Sequence, residues 1–228
     1  MVEIHTLQLG AMENFTYLIE DCATHQTAVV DPAWEVEKII EWARQQALKI
    51  TTILLTHGHH DHINGVKSLQ QATGADVYLH QREAEFFNLE QQGYQQFSGH
   101  SSIRLGESTL LPIETPGHTP GGVCYQVDGH LFTGDTLFVF GCGRCDMDGG
   151  DPVQMYHSLQ RLLNELDSET RIYPGHNYSV QPVSTLQQER EGNPFLHCED
   201  ESSFVRYRMV EHDQLRGSPY GPIQDSPC

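Results

Sequence analysis

The chain has 228 residues, with 13 Lys and Arg against 31 Asp and Glu and a formal net charge of −18. A surface field of that sign repels polyanions and anionic headgroups, which argues against nucleic-acid and membrane partners. The length is enough for one compact domain with a sizeable core. Apolar patterning predicts strands near 2 to 9, 15 to 21 and 27 to 31, then a helix near 35 to 47. Ile50-Thr51-Thr52-Ile53-Leu54-Leu55 reads as the next strand, followed by helices near 63 to 73 and 81 to 90 that flank a strand at 76 to 80. Paired strands are expected from 103 to 135, a helix near 152 to 166 and a strand at 170 to 174. Periodicity alone supports a mixed α and β class. Residues 1–200 are expected to form one folded domain, and 201–228 a tail packed on it or on a second subunit. Prolines and glycines at 217 to 222 predict that the tail ends in extended chain. Met1-Val2-Glu3-Ile4-His5 opens directly on a strand, without an apolar stretch long enough for export or membrane spanning, so the cytoplasm is the expected compartment.

Immediately after the fourth predicted strand the chain reads Thr56-His57-Gly58-His59-His60-Asp61-His62. A sharp turn there lets His57, His59, Asp61 and His62 converge. Neutral imidazole suits zinc, iron and manganese, and a carboxylate adds the negative charge that holds a second divalent ion near the first. Three His and one Asp exceed what one tetrahedral ion takes while keeping an open position, so two ions are expected. Three further candidates stand at strand exits: His118 in Pro116-Gly117-His118-Thr119-Pro120-Gly121, Asp135 after Thr133-Gly134, and His176 after Pro174-Gly175. Of the six cysteines only Cys142 and Cys145 are closely spaced. With no second pair of that spacing, they are read as neither a redox couple nor a zinc site.

These motifs, in this order, resemble the metallo-β-lactamase superfamily, in its glyoxalase II and persulfide dioxygenase branch, over about residues 2 to 197. The resemblance implies an αββα sandwich. It also implies one metal site of His57, His59 and His118, and a second of Asp61, His62 and His176, with Asp135 bridging them. Two divalent ions are implied, zinc first, with iron or manganese as substitutes. Two ions about 3.5 to 4 Å apart would bring a bridging water toward neutral pKa, and Asp61 and Asp135 would orient it for attack on a thioester carbonyl.

Arg144, in the Gly141-Cys142-Gly143-Arg144 segment that borders the family's active site, is the best candidate for an anion contact, and Tyr178 matches a position that touches the thiol-bearing group. Where glyoxalase II enzymes carry a basic pair that grips glutathione, this chain has His197 and Asp200 after Asn193-Pro194-Phe195. The expected substrate is therefore a small acyl thioester, a hydroxyacyl glutathione first and a carrier-protein-bound acyl thioester as its substitute. The rival expectation is a persulfide dioxygenase with one Fe(II) on His57, His118 and Asp135, which are a subset of the same residues. His5, His25, His80, His100, His130, His157 and His212 are read as surface or hydrogen-bonded residues, and His60 as no more than a support behind the ligands. Oligomeric state does not follow from the sequence.

Overall fold

The structure, a computed structural model, describes residues 1–99, 101–215, 217 and 219–223; His100, Arg216 and Cys228 lie outside them. Two compact units emerge, one of Met1–Ile113 with Tyr125–Asp128, the other of Glu114–Cys124 with the chain from Gly129 onward.

In the first unit β1 (Val2–Leu9), β2 (Asn14–Asp21), β3 (Gln26–Val30), β4 (Lys49–Leu54), β5 (Asp76–His80) and β6 (Gln95–Phe97) form one sheet in sequence order. The first three strands are antiparallel, and β3 to β6 run parallel. Parallel pairing requires crossovers, and helices supply them: α1 (Val36–Gln45) between β3 and β4, then α2 (His60–Ile63) and α3 (Val66–Thr73) between β4 and β5. Ile39 of α1 and Leu69 of α3 join Leu18, Val29, Ile53 and Val77 of the strands in one buried cluster. The histidine-rich run at 57 to 62 lies just past the end of β4, where the apolar run stops. The helix expected at 63 to 73 is broken at Gly65, whose N–H donates to Pro32 O at 3.1 Å. A side chain there would lie 2.7 Å from that same carbonyl, so the backbones approach too closely for a continuous helix with any other residue. The helix expected at 81 to 90 stops early as α4 (Gln81–Phe86), because Asn88 takes a left-handed φ of 57°.

A hairpin of β7 (Ile103–Leu105) and β8 (Ser108–Glu114) follows. Its turn is tied to β2 through the fully buried Asp21, whose carboxylate accepts from Ser108 N at 3.0 Å, Ser108 Oγ at 2.7 Å and Thr24 Oγ1 at 2.7 Å. Burial pushes this carboxyl up, but the hydrogen bonds from Ser108 and Thr24 outweigh it and hold it well below the usual range. After β9 (Val123–Val127) the chain enters the second unit.

There β10 (His130–Gly134) runs parallel to β13 (Arg171–Pro174), which pairs antiparallel with β14 (Ser184–Thr185). The short β11 (Leu137–Phe138) and β12 (Gly141–Cys142) form a hairpin between them in sequence. α5 (Pro152–Glu165) starts where Asp151 accepts from Val153 N and Gln154 N, with Pro152 in the first turn. The residues beyond 186 are mostly helical, which the sequence reading missed: α6 (Leu186–Gly192), α7 (Glu201–Arg206), a π-helical turn at Tyr207–Glu211 and α8 (His212–Leu215). Capping boxes start α6 at Thr185 and α7 at Asp200. Phe204 and Tyr207 bury themselves against Phe195, with ring centroids 5.8 and 5.0 Å away. Tyr220 forms an isolated parallel bridge opposite Ser179, donating to Tyr178 O and accepting from Val180 N. Among the described residues no helix is long and apolar enough to cross a membrane.

Candidate metal centre

The histidine run begins at His57, three residues after β4 ends, and one buried carboxylate organises it. Asp31, just beyond β3, accepts from Thr56 N at 2.8 Å through Oδ1 and from the Thr56 hydroxyl at 2.6 Å through Oδ2. Asp31 Oδ2 also lies 2.9 Å from His62 Nδ1, and Thr56 Oγ1 lies 3.0 Å from His57 Nδ1. These partners settle the tautomers. The single Thr56 hydroxyl hydrogen goes to Asp31, so the His57 contact needs a hydrogen on Nδ1; the carboxylate of Asp31 can only accept from His62 Nδ1. In both rings the lone pair is left on Nε2. The ring centroids of His57 and His62 lie 4.1 Å apart and those of His57 and His59 4.8 Å apart, so three imidazoles share one small region.

Asp61, on the first turn of α2, is held from β2. Buried Asn14 donates through Nδ2 to Asp61 Oδ2 at 3.0 Å and to Asp61 O at 3.1 Å. Trp34 Nε1, which can only donate, meets Asn14 Oδ1 at 2.8 Å and so fixes which end of the amide faces Asp61. His62 Nε2 lies 3.5 Å from Asp61 Oδ2. Gly58 has to be a glycine: a β-carbon there would fall 2.3 Å from the Phe87 ring, while its N–H donates to fully buried Glu83 at 2.8 Å. His60 is exposed.

The other candidates lie in the second unit. His118 Nδ1 donates to Arg144 O at 2.7 Å, which again leaves the lone pair on Nε2. Asp135 Oδ2 stands 3.5 Å from His118 Nε2 and 3.4 Å from His176 Nε2. Gly143 makes room for this arrangement, since a β-carbon would come within 1.9 Å of Asp135 O. His176 is buried and stacks face to face on Tyr178, with centroids 4.6 Å apart and planes 7° apart, and Phe138 packs edge-on against both rings.

Within each unit, taken by itself, the spacing of these donors suits a divalent ion. Two ligands each about 2.1 Å from one tetrahedral ion lie about 3.4 Å apart, which is longer than a good hydrogen bond. The carboxylate-to-Nε2 separations of 3.4 to 3.5 Å at Asp61 and Asp135 have that ligand-edge length. Where an imidazole's other nitrogen is engaged, its partner is a carboxylate, a hydroxyl or a carbonyl, the arrangement that orients metal-binding histidines.

Arg144 is exposed and pairs bidentately with Asp146, at 2.7 Å for both bonds, and the Arg144 guanidinium lowers the Asp146 carboxyl to about 2. Cys142 and Cys145 are buried, and burial pushes the Cys145 thiol far up, which suits packing rather than redox chemistry. Asp200, placed by sequence where a glutathione-gripping base would stand, accepts from Ser203 N at 2.8 Å as the cap of α7. His197 contacts Arg190 O at 2.9 Å. His130, His157 and His212 hydrogen-bond to Tyr173, Glu201 and Asp213, and His80 accepts from Arg82 N. Sequence reading missed Asp31, Thr56, Asn14 and Glu83. For Asp31 the available signal was an Asp-Pro step directly after the apolar run Ala28-Val29-Val30.

Residues 9–176 match the sequence profile of the Metallo-beta-lactamase superfamily. The chain is 33% identical over 201 residues to a probable polyketide biosynthesis zinc-dependent hydrolase, PksB, of Bacillus subtilis, covering 88% of this chain and 89% of that one. It is 35% identical over 210 residues to the hydroxyacylglutathione hydrolase of Anaeromyxobacter dehalogenans, covering 92% of this chain and 76% of the relative. Among solved structures, ETHE1 from Myxococcus xanthus superposes with a TM-score of 0.84 at 30% identity, over 95% of this chain and 93% of that one. Together with the strand-end clusters of His and Asp, these likenesses place the chain in the metallo-β-lactamase superfamily, whose fold it has and whose glyoxalase II and persulfide dioxygenase members are its homologues.

Proposed function

We propose that the chain is a metal-dependent hydrolase of acyl thioesters, with His57, His59 and His118 holding one divalent ion, Asp61, His62 and His176 a second, and Asp135 shared between them. The observation that carries this reading is the care with which the second donor set is held. Asp61 is clamped by Asn14 and His62 by Asp31, contacts that a centre needing only His57, His118 and Asp135 does not require. Zinc is the expected ion, in keeping with the imidazole-rich donors and with the zinc-dependent hydrolase relative. When bound, two such ions lower the pKa of a water and polarise a carbonyl oxygen. Asp61 and Asp135 accept hydrogen bonds from the attacking water and aim it at the thioester carbon. Tyr178, by stacking on His176, fixes that ring and presents its own edge to the substrate side. A thiolate of pKa near 8.5 leaves without a dedicated proton donor.

The thiol we propose is that of a carrier-bound acyl chain rather than glutathione. Two features support the choice: Asp200 is committed to a helix cap where a basic grip would be needed, and PksB, a polyketide biosynthesis relative, matches this chain over nearly the full length of both. On a surface so acidic, Arg144 and the arginines of the tail, such as exposed Arg206, are the cations for an acidic carrier to dock on, and Arg144 would exchange Asp146 for the carrier's acidic group. The second reading, a mononuclear iron persulfide dioxygenase, is favoured by 32% identity over 202 residues to the persulfide dioxygenase ETHE1 of Homo sapiens and by the likeness to the ETHE1 structure from Myxococcus xanthus.

Metal content measured beside turnover of an acyl-carrier thioester, S-lactoylglutathione and glutathione persulfide under oxygen tests the proposal. About two ions per chain with fastest cleavage of the carrier thioester is the expected result. Preference for S-lactoylglutathione would overturn the carrier assignment alone. One iron per chain with oxygen uptake on persulfide would overturn hydrolysis.

A further inference from the structure

A second group of imidazoles and carboxylates lies at the outer edge of the first sheet and plays no part in the centre just described. Glu3 and Glu20 are register partners, directly opposite across the antiparallel β1–β2 ladder. Like charges so placed destabilise a sheet. On the same face of β1, two residues on, stands His5, whose Nε2 lies 3.1 Å from Glu20 Oε2. From the turn between β2 and β3, His25 brings Nδ1 to 2.7 Å from Glu20 Oε1. One donor atom from each of Glu3, His5 and Glu20 falls within 4.8 Å of the others.

We propose that Glu3, His5 and Glu20, with His25 as a fourth donor, bind a divalent transition ion such as Zn2+ or Cu2+. The donor chemistry selects the ion. Two imidazoles and two carboxylates suit borderline metals and disfavour Mg2+ or Ca2+, which prefer oxygen alone. Donor atoms of Glu3, His5 and Glu20 already lie within 4.8 Å of one another. The 3.1 Å from His5 Nε2 and the 2.7 Å from His25 Nδ1 to Glu20 are hydrogen-bond lengths, so an ion would take the place of those two hydrogens and open both edges toward about 3.4 Å. Only Glu20, at 8% exposure, is buried, and packing holds it and His5 still: the His5 ring sits 4.6 Å from Trp42 of α1. Burial pushes the Glu20 carboxyl up, but hydrogen bonds to His25 and His5 outweigh it and favour the charged form that a metal needs. An imidazole pair with Glu20 alone would explain His5 and His25; it leaves Glu3 opposing Glu20 with nothing gained, whereas an ion between them turns that repulsion into shared coordination. The bound ion would tie the edge strand β1 to the β2–β3 turn.

The test compares wild type with His5→Ala and with Glu3→Gln, each purified with its native metal. Zn2+ binding is counted by equilibrium dialysis, and Cu2+ is added to the zinc-loaded proteins for electron paramagnetic resonance. Wild type is expected to take up one ion per chain more than His5→Ala, to show nitrogen coupling from His5 and His25, and to gain melting temperature as Zn2+ rises beyond saturation of the first sites. Glu3 is exposed, so Glu3→Gln leaves the fold intact and weakens that extra site at least about tenfold. Thioester turnover stays the same in all three. Equal ion counts in the three proteins, with equal melting shifts, would overturn the proposal and leave an ion-pair cluster.

Discussion

Two carboxylates in the first unit each serve a pair of histidines, but Asp31 reaches both of its rings at Nδ1, one of them through Thr56, whereas Glu20 meets one ring at Nδ1 and the other at Nε2. Asp31 sits behind its imidazoles: it takes the Nδ1 hydrogen of His62 directly and that of His57 through Thr56, leaving both Nε2 atoms to act as donors. Glu20 stands beside its imidazoles and meets His5 at Nε2 and His25 at Nδ1, the nitrogens that would turn to an ion in the proposed site. The first arrangement builds orientation; the second makes carboxylate and imidazole neighbours in one donor set. Burial sorts them too, since Asp31 and His62 are both hidden while His25 is largely in water. An acidic residue near a histidine therefore has no fixed meaning until one asks which nitrogen it faces.

The largest expected effect follows from removing the partner behind the ring. Asp31→Ala frees the Nδ1 atoms of His57 and His62 to turn, and metal affinity or turnover should fall about 10- to 100-fold. Glu20→Gln should leave turnover within about twofold, because Glu20 orients nothing in the proposed centre. Equal losses in the two variants, measured by metal content and steady-state kinetics, would break the distinction.

A third carboxylate sharpens it by having no histidine at all. Asp21, next to Glu20 in the chain, holds Ser108 and Thr24 instead. Asp21→Asn should cost about 1 to 3 kcal/mol at pH 7 by denaturant unfolding, since a buried acceptor is lost from under several donors. Its folded pKa is depressed, so this stabilisation is complete above the ordinary value of 3.8 and is lost as pH falls through the lower folded value. The gap between wild type and Asp21→Asn should accordingly stay wide at pH 7 and narrow steadily in acid below about pH 4. A gap that widened in acid would contradict the assigned contacts.

The smallest effect concerns a carboxylate that serves only backbone. Asp200→Ala removes the cap of α7 and should lower the melting temperature by about two degrees, with turnover unchanged. A change in preference between glutathione and carrier thioesters in that variant would show that Asp200 faces substrate after all.

Much of this molecule could be read from its sequence, for a physical reason. The ligand-type residues His57, His59, Asp61, His62, His118, Asp135 and His176 each follow an apolar run or a Pro-Gly turn, so the same pattern that marks a strand also marks its exit. Asp31 escaped because its one local mark, an Asp-Pro step at the exit of an apolar run, does not say what the carboxylate touches; the parallel register of β3 against β4 brings it beneath Thr56. Asn14 escaped likewise, since its contact with Asp61 spans 47 residues. Beyond residue 186 the helices are short and start on capping side chains rather than on long apolar faces. Their anchor, fully buried Glu189, accepts from Phe140 N, Ser184 Oγ and Asn193 Nδ2, a role that its position in a run of polar residues conceals.

The bridge between Tyr220 and Tyr178 has a practical consequence for anyone handling the protein. Tyr220 N donates to Tyr178 O at 2.7 Å, and the Tyr178 ring lies flat on His176. A proteolytic nick or a truncation ahead of Tyr220 thus removes the backbone that steadies a proposed ligand two residues away from Tyr178. Affinity tags are better fused at the amino end, and loss of activity on storage should first be checked by mass spectrometry for clipping in this stretch.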